Sequence, residues 1–383
     1  MRPSGVFRQI VNFEPILYPV KRHGNLWPML TAWSNLLLAA RKARRGKRHR
    51  PAVRRFEFRR EYELLRLRRE LLAGTYAPGP FVTHWVHIPK RRLISAAPYP
   101  DRVLHHAVMN LLEPILERHF HPHSFACRTG RGTHAASRHL QRLLRRFRFS
   151  LQLDVRKFFP SIDHAVLKDR FRRLINDRPF LALLDAIVNG SNDQEPVADY
   201  FPGDHLFTPA ERRRGLPIGN LTSQWFANWY LDPLDHWLTS RMRIGGYVRY
   251  CDDFILCDDD PGRLREMVRA VPAFLAGLRL KVHEERLCVL PAVAGRVFVG
   301  YRTTPAGRRV TAEGKHRFLR RLRWMKRAFA AGRIPADKVH QRIMSWLGHA
   351  GQADSLPLVR KLADDWVFID GRFHHFRSPS ADG

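Results

Sequence analysis

Between residues 25 and 75 apolar positions recur at helical spacing, and the stretch predicts helices. NLWPMLTAWSNLLLAARKARRGKRHR begins apolar and ends basic. FEFRREYELLRLRRELLAG then sets Phe58, Tyr62, Leu65 and Leu72 near a helical repeat, with Gly74 as terminator. From Ala77 the texture changes. FVTHWVHIPKRRLIS alternates and is rich in β-formers, which predicts a hairpin-like pair of strands carrying Lys90, Arg91 and Arg92. A helix follows from about Asp101, its predicted N-cap, to His119, with Leu104, Val108, Leu111 and Leu112 as its buried stripe. RTGRGTHAA, at 128–136, reads as a Gly-bearing turn into a basic helix that ends near Arg146.

FRFSLQLDVRKFFPSIDH predicts a buried strand from Phe149 to Val155, a turn at Pro160 and a helix capped by Ser161 or Asp163. The Asn-, Gly-, Asp- and Pro-bearing region from Asn189 to Pro209 reads as a loop or insertion. GLPIGNLTSQWFANWYLDPLDHWL gives a turn and then a helix, with Asn220 or Thr222 as cap and Pro233 as kink or stop. GYVRYCDDFILCDDD predicts two short strands around a tight turn. A helix from Gly262 to Ala276 and strands at Leu280–Leu290 and Arg296–Tyr301 complete a β-α-β-β succession. From Lys315 to about Asp364 the pattern is helical and strongly basic, and the last dozen residues read as a tail. No internal repeat or low-complexity tract is present.

Charge sharpens the picture. The chain has 67 Lys and Arg against 35 Asp and Glu, a formal charge of +32 over 383 residues. So large an excess favours capture of polyanions, nucleic acid first. Seven of the ten residues Arg41–Arg50 are Lys or Arg, which suits a surface that contacts phosphates. No apolar run of 18 residues, signal peptide or lipidation motif is visible, so no membrane association is expected. The four cysteines lack CxxC spacing, which suits reduced thiols and a cytoplasmic location.

Against this background RYCDDFILCDDD concentrates five aspartates. Asp258, Asp259 and Asp260 precede a helix and suit caps. Asp252 and Asp253 lie between apolar β-formers, and a simple solvated turn accounts for them poorly. If the strand ending at Asp154 packs beside their hairpin in one antiparallel sheet, the carboxylates meet at one edge. There they repel unless a divalent cation neutralises them. Mg²⁺ takes oxygen ligands, a couple of carboxylates among them, and leaves positions for water and substrate phosphates. Two such ions, about 3.5–4 Å apart, stabilise both oxygens of a phosphoryl transfer.

HIPKRRLIS, DRVLHHAV, LQLDVRKFFPSID, GLPIGNLTSQWFANWYLDPLD, RYCDDFIL and RVFVGYR, in that order, resemble reverse transcriptases. The likeness runs from about Asn25 to about Asp364. It is greatest to the branch from diversity-generating retroelements and next to group II intron and retron enzymes. The resemblance implies an α+β right-hand polymerase with fingers, a ferredoxin-like antiparallel palm and a short helical thumb. In this chain those units fall at residues 1–76 (a basic helical segment of the fingers), 77–148 (fingers), 149–305 (palm, with an insertion at about 189–212) and 306–365 (thumb). A tail follows at 366–383. The implied activity is RNA-directed DNA polymerisation, from an RNA template and dNTPs, on a cDNA primer.

Position by position, the family's YxDD box matches Tyr250, Cys251, Asp252 and Asp253, and its first catalytic aspartate matches Asp154. The resemblance implies Asp154, Asp252 and Asp253 as catalytic residues. With the Val155 carbonyl they would hold two Mg²⁺, for which Mn²⁺ can substitute. Phe159 matches the aromatic that gates against a 2′-hydroxyl, and a core role is its alternative. Lys90 and Arg92 match the basic pair of the fingers, and Ile218, Gly219 and Gln224 lie in the nucleotide-side box. Gly300 and Tyr301 match the primer grip. Many relatives have Gln-Gly where this chain has Ile218-Gly219, and Ser-Pro where it has Ser223-Gln224. IGNLTSQ is the pattern of the diversity-generating branch. Isoleucine offers no polar contact near the sugar, which should weaken discrimination between right and wrong pairs, and the resemblance to this branch implies low fidelity, especially opposite adenine. Arg286 replaces a lysine common in the family, and arginine is a poor proton donor. The branch also implies a small basic accessory protein as partner. The alternatives are a retron, group II intron-like or defence-associated enzyme, or a polymerase-like RNA scaffold without synthesis. No maturase or endonuclease domain is apparent after the thumb, which weakens the intron reading.

Overall fold

The structure, a computed structural model, describes residues 22–87 and 91–363. Lys90 and the tail from 366 lie outside them. The first half contains helices α1 (Leu26–Thr31), α2 (Trp33–Arg44), α3 (Pro51–Phe58) and α4 (Arg60–Leu72). Next come the hairpin β1 (Val82–Val86) and β2 (Arg92–Ala96), then helices α5 (Tyr99–His119) and α6 (Thr133–Arg146). The middle begins with β3 (Phe149–Asp154), the short α7 (Phe158–Ser161), α8 (His164–Leu174), α9 (Arg178–Asn189), the short α10 (Thr208–Glu211) and α11 (Leu221–His236). It continues through β4 (Gly246–Tyr250), β5 (Asp253–Asp258), α12 (Pro261–Gly277) and β6 (Val289–Pro291). A meander of β7 (Arg296–Phe298), β8 (Tyr301–Thr303) and β9 (Arg308–Val310) leads to α13 (Ala312–Ala330), α14 (Ala336–Ala350) and α15 (Leu356–Ala363). No helix among the described residues is long and apolar enough to cross a membrane.

The central sheet is antiparallel in the order β4-β5-β3-β6. Its apolar run FILC is continuous because β5 is covered on both faces. Phe254 and Leu256 join the main core with Leu151 and Leu153 of β3 and Leu264 and Val271 of α12. Ile255 and Cys257 face the other way, into a second cluster with Leu140, Leu143 and Leu144 of α6. The sheet is therefore clamped between α12 on one face and α6 on the other.

Several expectations need correction. Phe58, Tyr62, Leu65 and Leu72 are all exposed, Phe58 at 88%. The buried stripe of α4 is Leu64, Leu67 and Leu71. Two stripes at helical spacing coexist there, and packing of α4 on α1 chooses between them. Asp101 lies inside α5, whose N-cap is Pro98. Its carboxylate instead accepts from Gly79 N at 2.8 Å and from the Tyr76 hydroxyl at 3.1 Å. Pro233 does not end α11, which runs to His236 and on into a π-helical turn, Trp237–Arg241. A proline at 233 deprives the Trp229 carbonyl of its helical donor, and Arg170 Nε fills that place at 2.9 Å. The strand expected over Leu280–Leu290 shrinks to β6 plus a single bridge, Val282 to Val155, because a 3₁₀ turn at Glu284–Arg286 interrupts it. The strand expected over Arg296–Tyr301 is split into β7 and β8 by a turn at Val299 and Gly300, both at positive φ. Of the aspartates expected to cap α12, only Asp260 does so, accepting from Gly262 N at 2.7 Å. Asp259 accepts from Arg148 N, and the buried Asp258 from Arg263 and from Gly245 N.

Asp177 ties the N-terminal helices to this core. One oxygen accepts from Leu26 N at 2.6 Å and Trp27 N at 2.9 Å, starting α1, while the other accepts from Phe180 N and caps α9. Asp177→Ala leaves three main-chain donors without their acceptor and is expected to cost roughly 2 kcal/mol or more. An unchanged urea midpoint for that variant would refute the double-cap role.

Candidate active site

β3 and β5 bring two aspartates face to face. Asp154 closes β3, Asp253 opens β5, and the two are direct partners across the ladder. Leu151 and Leu153 face the main core, so alternation puts Gln152 and Asp154 on the opposite face. Phe254 and Leu256 leave Asp253 on that same face. Directly paired residues set their Cβ atoms about 5 Å apart, so the two carboxylates are neighbours. Cys251 and Asp252 make the intervening turn, with Cys251 at φ 59°. Val155 N donates to the Asp252 carbonyl at 3.1 Å. On the other side Arg156 N donates to Lys281 O at 2.7 Å and His283 N to Asp154 O at 2.9 Å. Those bonds flank Val155, so its own N–H and C=O both face Asp252.

Two further side chains enter this edge. Gln152 Nε2 donates to Asp253 Oδ1 at 2.8 Å and to Val297 O at 3.1 Å. His283 Nε2 lies 4.0 Å from Asp154 Oδ2. Beside them the loop between α9 and α10 is anchored by charge: Asp199 pairs with Arg156 and, at 3.4 Å, with Lys281.

The Gly215–Asn220 turn links this edge to the β1–β2 hairpin. Leu216 N donates to Phe159 O at 2.9 Å and Gly215 N to Ile162 O at 2.8 Å. Ser95 N donates to Ile218 O at 2.9 Å, and the Asn220 side chain accepts from Ala97 N and donates to Ser95 O. Asn220 is thus the N-cap residue of α11 by position, but its side chain works across the chain. Gly219 has φ 116°, and a Cβ there would come within 3.1 Å of Ile94 Cγ2, so the turn needs glycine. Phe159 and Ile218 are half-buried, while Arg92 and Gln224 are exposed. Phe159 rests edge-on against the buried Phe158, with centroids 5.6 Å apart.

Gly300 and Tyr301 lie at the β7–β8 turn. Tyr301 is wholly buried. Its hydroxyl lies 2.9 Å from His134 Nδ1 and 2.8 Å from His349 Nδ1, and it donates to His349 O at 2.9 Å. That side chain is fully occupied, so the turn can offer a ligand only its backbone. A Cβ at Gly300 would meet the His349 ring at 3.2 Å.

Residues 87–349 match the family described as reverse transcriptase (RNA-dependent DNA polymerase). The chain belongs to the reverse transcriptase family. Its enzyme class is therefore RNA-directed DNA polymerase, which acts on an RNA template and nucleotides. It is 26% identical over 284 residues to Protein YkfC of Escherichia coli (strain K12), covering 63% of this chain and 71% of that protein. It is 25% identical over 178 residues to the Group II intron-encoded protein LtrA of Lactococcus lactis subsp. cremoris, covering 46% and 28%. A third relative is the Putative COX1/OXI3 intron 1 protein of Saccharomyces cerevisiae, 23% identical over 229 residues, covering 58% and 25%. The chain thus spans about a quarter of each of the latter two.

Reverse transcriptases use divalent cations, typically Mg²⁺. Among the described residues no group of three or more His, Cys, Asp or Glu side chains could hold an ion unaided. The donors at this edge nonetheless suit Mg²⁺ in kind. Asp154, Asp252, Asp253 and the Val155 carbonyl are all oxygen donors, and Mg²⁺ commonly completes its shell with substrate phosphates and water. Sequence reasoning missed Gln152 and His283. Gln152 was legible as the polar alternate of β3, whereas His283 reaches Asp154 only through the Val155–Val282 bridge. Lys90, expected beside Arg92, lies outside the described residues.

Proposed function

We propose that this reverse transcriptase makes cDNA by attack of a primer 3′-hydroxyl on the α-phosphate of a dNTP, at the edge formed by Asp154, Asp252 and Asp253. The observation that carries the reading is the register Asp154↔Asp253 with Asp252 in the adjoining turn. Bound there, Mg²⁺ would neutralise the carboxylates and the phosphates and stabilise the entering and leaving oxygens. The chain's own part is positioning and charge. Asp154, Asp252 and the Val155 carbonyl would hold the ions, and Asp253, fixed by Gln152, would support them. Phe159 underlies the sugar, with Ile218, Gly219 and Gln224 beside the nucleotide and Arg92, with Lys90, meeting its phosphates or the template. Gly300 and Tyr301 offer backbone to the primer end.

In this reading residues up to 148 act as fingers, 149–305 as palm and 306–365 as thumb. The basic segments before and after the palm follow the phosphates of the template–primer duplex. We assign the enzyme to the diversity-generating branch on IGNLTSQ, Ile218–Gln224, with an error-prone copy and a small basic accessory partner. The likeness to intron-encoded proteins favours a group II-like enzyme as the second reading. Primer extension on poly(rA)/oligo(dT) with Mg²⁺ tests the activity, and no extension would overturn it. Sequencing cDNA from wild type and Ile218→Gln tests the branch. The variant is expected to make fewer errors opposite adenine, and equal spectra would count against that assignment. A template repeat with a variable copy in the neighbouring DNA would mark a diversity generator.

A further inference from the structure

Arg249 stands immediately before the Tyr250–Asp253 turn, and its side chain is wholly buried together with that of Asp235 on α11. Nε donates to Asp235 Oδ1 and Nη2 to Oδ2, both at 2.6 Å, a two-pronged pair. The third nitrogen turns towards the candidate active site. Nη1 donates to Asn228 Oδ1 at 3.1 Å and to the Cys251 carbonyl at 3.0 Å. The carboxylate is braced in turn by the Tyr247 hydroxyl, and Asn228 by its own bond to Ala126 O at 2.7 Å. The main chain of Arg249 is fixed as well, donating to His123 O and accepting from Phe125 N, both at 2.9 Å.

The carbonyl that Arg249 holds belongs to the residue at φ 59°, a backbone setting that non-glycine residues adopt uncommonly. It is also the peptide that enters Asp252. A rotation of that peptide would swing Asp252 away from Val155 and Asp253 away from Asp154. Fold stability alone does not explain the pair, since a buried ion pair is often no better than apolar side chains of similar size. What apolar side chains cannot supply is a donor aimed at the Cys251 carbonyl. Lysine would supply the charge without the fork.

We propose that Arg249, locked by Asp235, is a positioning residue that holds the Cys251 carbonyl and so aims Asp252 and Asp253 for the polymerase reaction. This rests on the proposed function. The test compares wild type with Arg249→Met/Asp235→Leu, which removes both charges and leaves neither orphaned. Three quantities are read: the melting temperature, the single-turnover rate against Mg²⁺, and Mn²⁺ affinity. The last is followed by electron paramagnetic resonance in a complex with dideoxy-ended primer and dNTP. The expected result is a melting temperature near wild type, a rate at least about tenfold lower, a severalfold higher Mg²⁺ requirement and weaker Mn²⁺ binding. Wild-type rate and metal dependence in the folded double variant would overturn the proposal. Should the double variant fail to fold, Arg249→Lys is read the same way: a raised metal requirement supports the role and an unchanged one overturns it. If wild type itself extends no primer, the polymerase reading falls and the positioning role with it.

Discussion

Asp252→Asn is expected to lose primer extension by at least about a thousandfold while melting no lower than wild type. The two outcomes come from one geometry. Asp154 and Asp253 are paired across the ladder and Asp252 enters from the turn between β4 and β5, so like charges crowd one sheet end. Removing one of them relieves repulsion in the metal-free protein. Asparagine keeps the shape and leaves the Asp252 backbone bond to Val155 N in place. What it lacks is the negative oxygen that a hard cation requires. Catalysis and stability therefore separate, as they do not for a core substitution. Single-nucleotide incorporation under single-turnover conditions, with a melting curve in chelator, checks both halves. A variant that keeps a tenth of the wild-type rate, or one that melts well below wild type, would contradict this account.

Much of that geometry was legible in advance because it depends on local pattern. LQLD and RYCDDFIL show short apolar runs ending on carboxylates, and strands built from them have few ways to pair. The positions that misled are those decided by partners far along the chain. Nothing near Pro233 reveals that Arg170 will occupy the carbonyl it frees. Nothing near Asp101 shows that Gly79 will claim its carboxylate. In α4 the leucines were apolar on two faces, and only the neighbouring helix selects Leu64, Leu67 and Leu71. Arg249 was the hardest to see. It is one of 67 Lys and Arg residues, and its burial depends on Asp235, Asn228 and Tyr247 arriving from α11 and β4. A charged residue beside a strand-end turn signals burial only when a matching carboxylate is known to meet it.

The second large effect expected is acid lability. Burial lowers His105, His106, His121 and His139 each to about 4, with neighbouring cations or histidines adding to the effect at each. At His121 the Asp235 carboxylate opposes the shift without reversing it. These histidines are neutral in the folded chain at pH values where the unfolded chain, near 6.5, is already protonated. Stability is therefore complete above about pH 6.5 and falls as pH drops from there towards 4. A fully buried group contributes a slope of up to roughly 1.4 kcal/mol per pH unit in that window, and the partly exposed ones contribute less. His105 is the most deeply buried of the four. It is buried in α5, and its Nδ1 has no hydrogen-bond partner among the described residues, so a proton there is uncompensated. His236 has the opposite sign. Its hydrogen bond to Asp232 raises it to about 9 against the pull of burial, so its contribution is complete below about 6.5 and is lost as pH rises through 9. The melting temperature should peak near neutrality, with the acid limb steeper than the alkaline one. A pH series of melting curves from 4.5 to 9.5 measures both limbs, and His105→Gln should flatten the acid one. A melting temperature that stays level down to pH 4.5 would show that these histidines are not held neutral by the core.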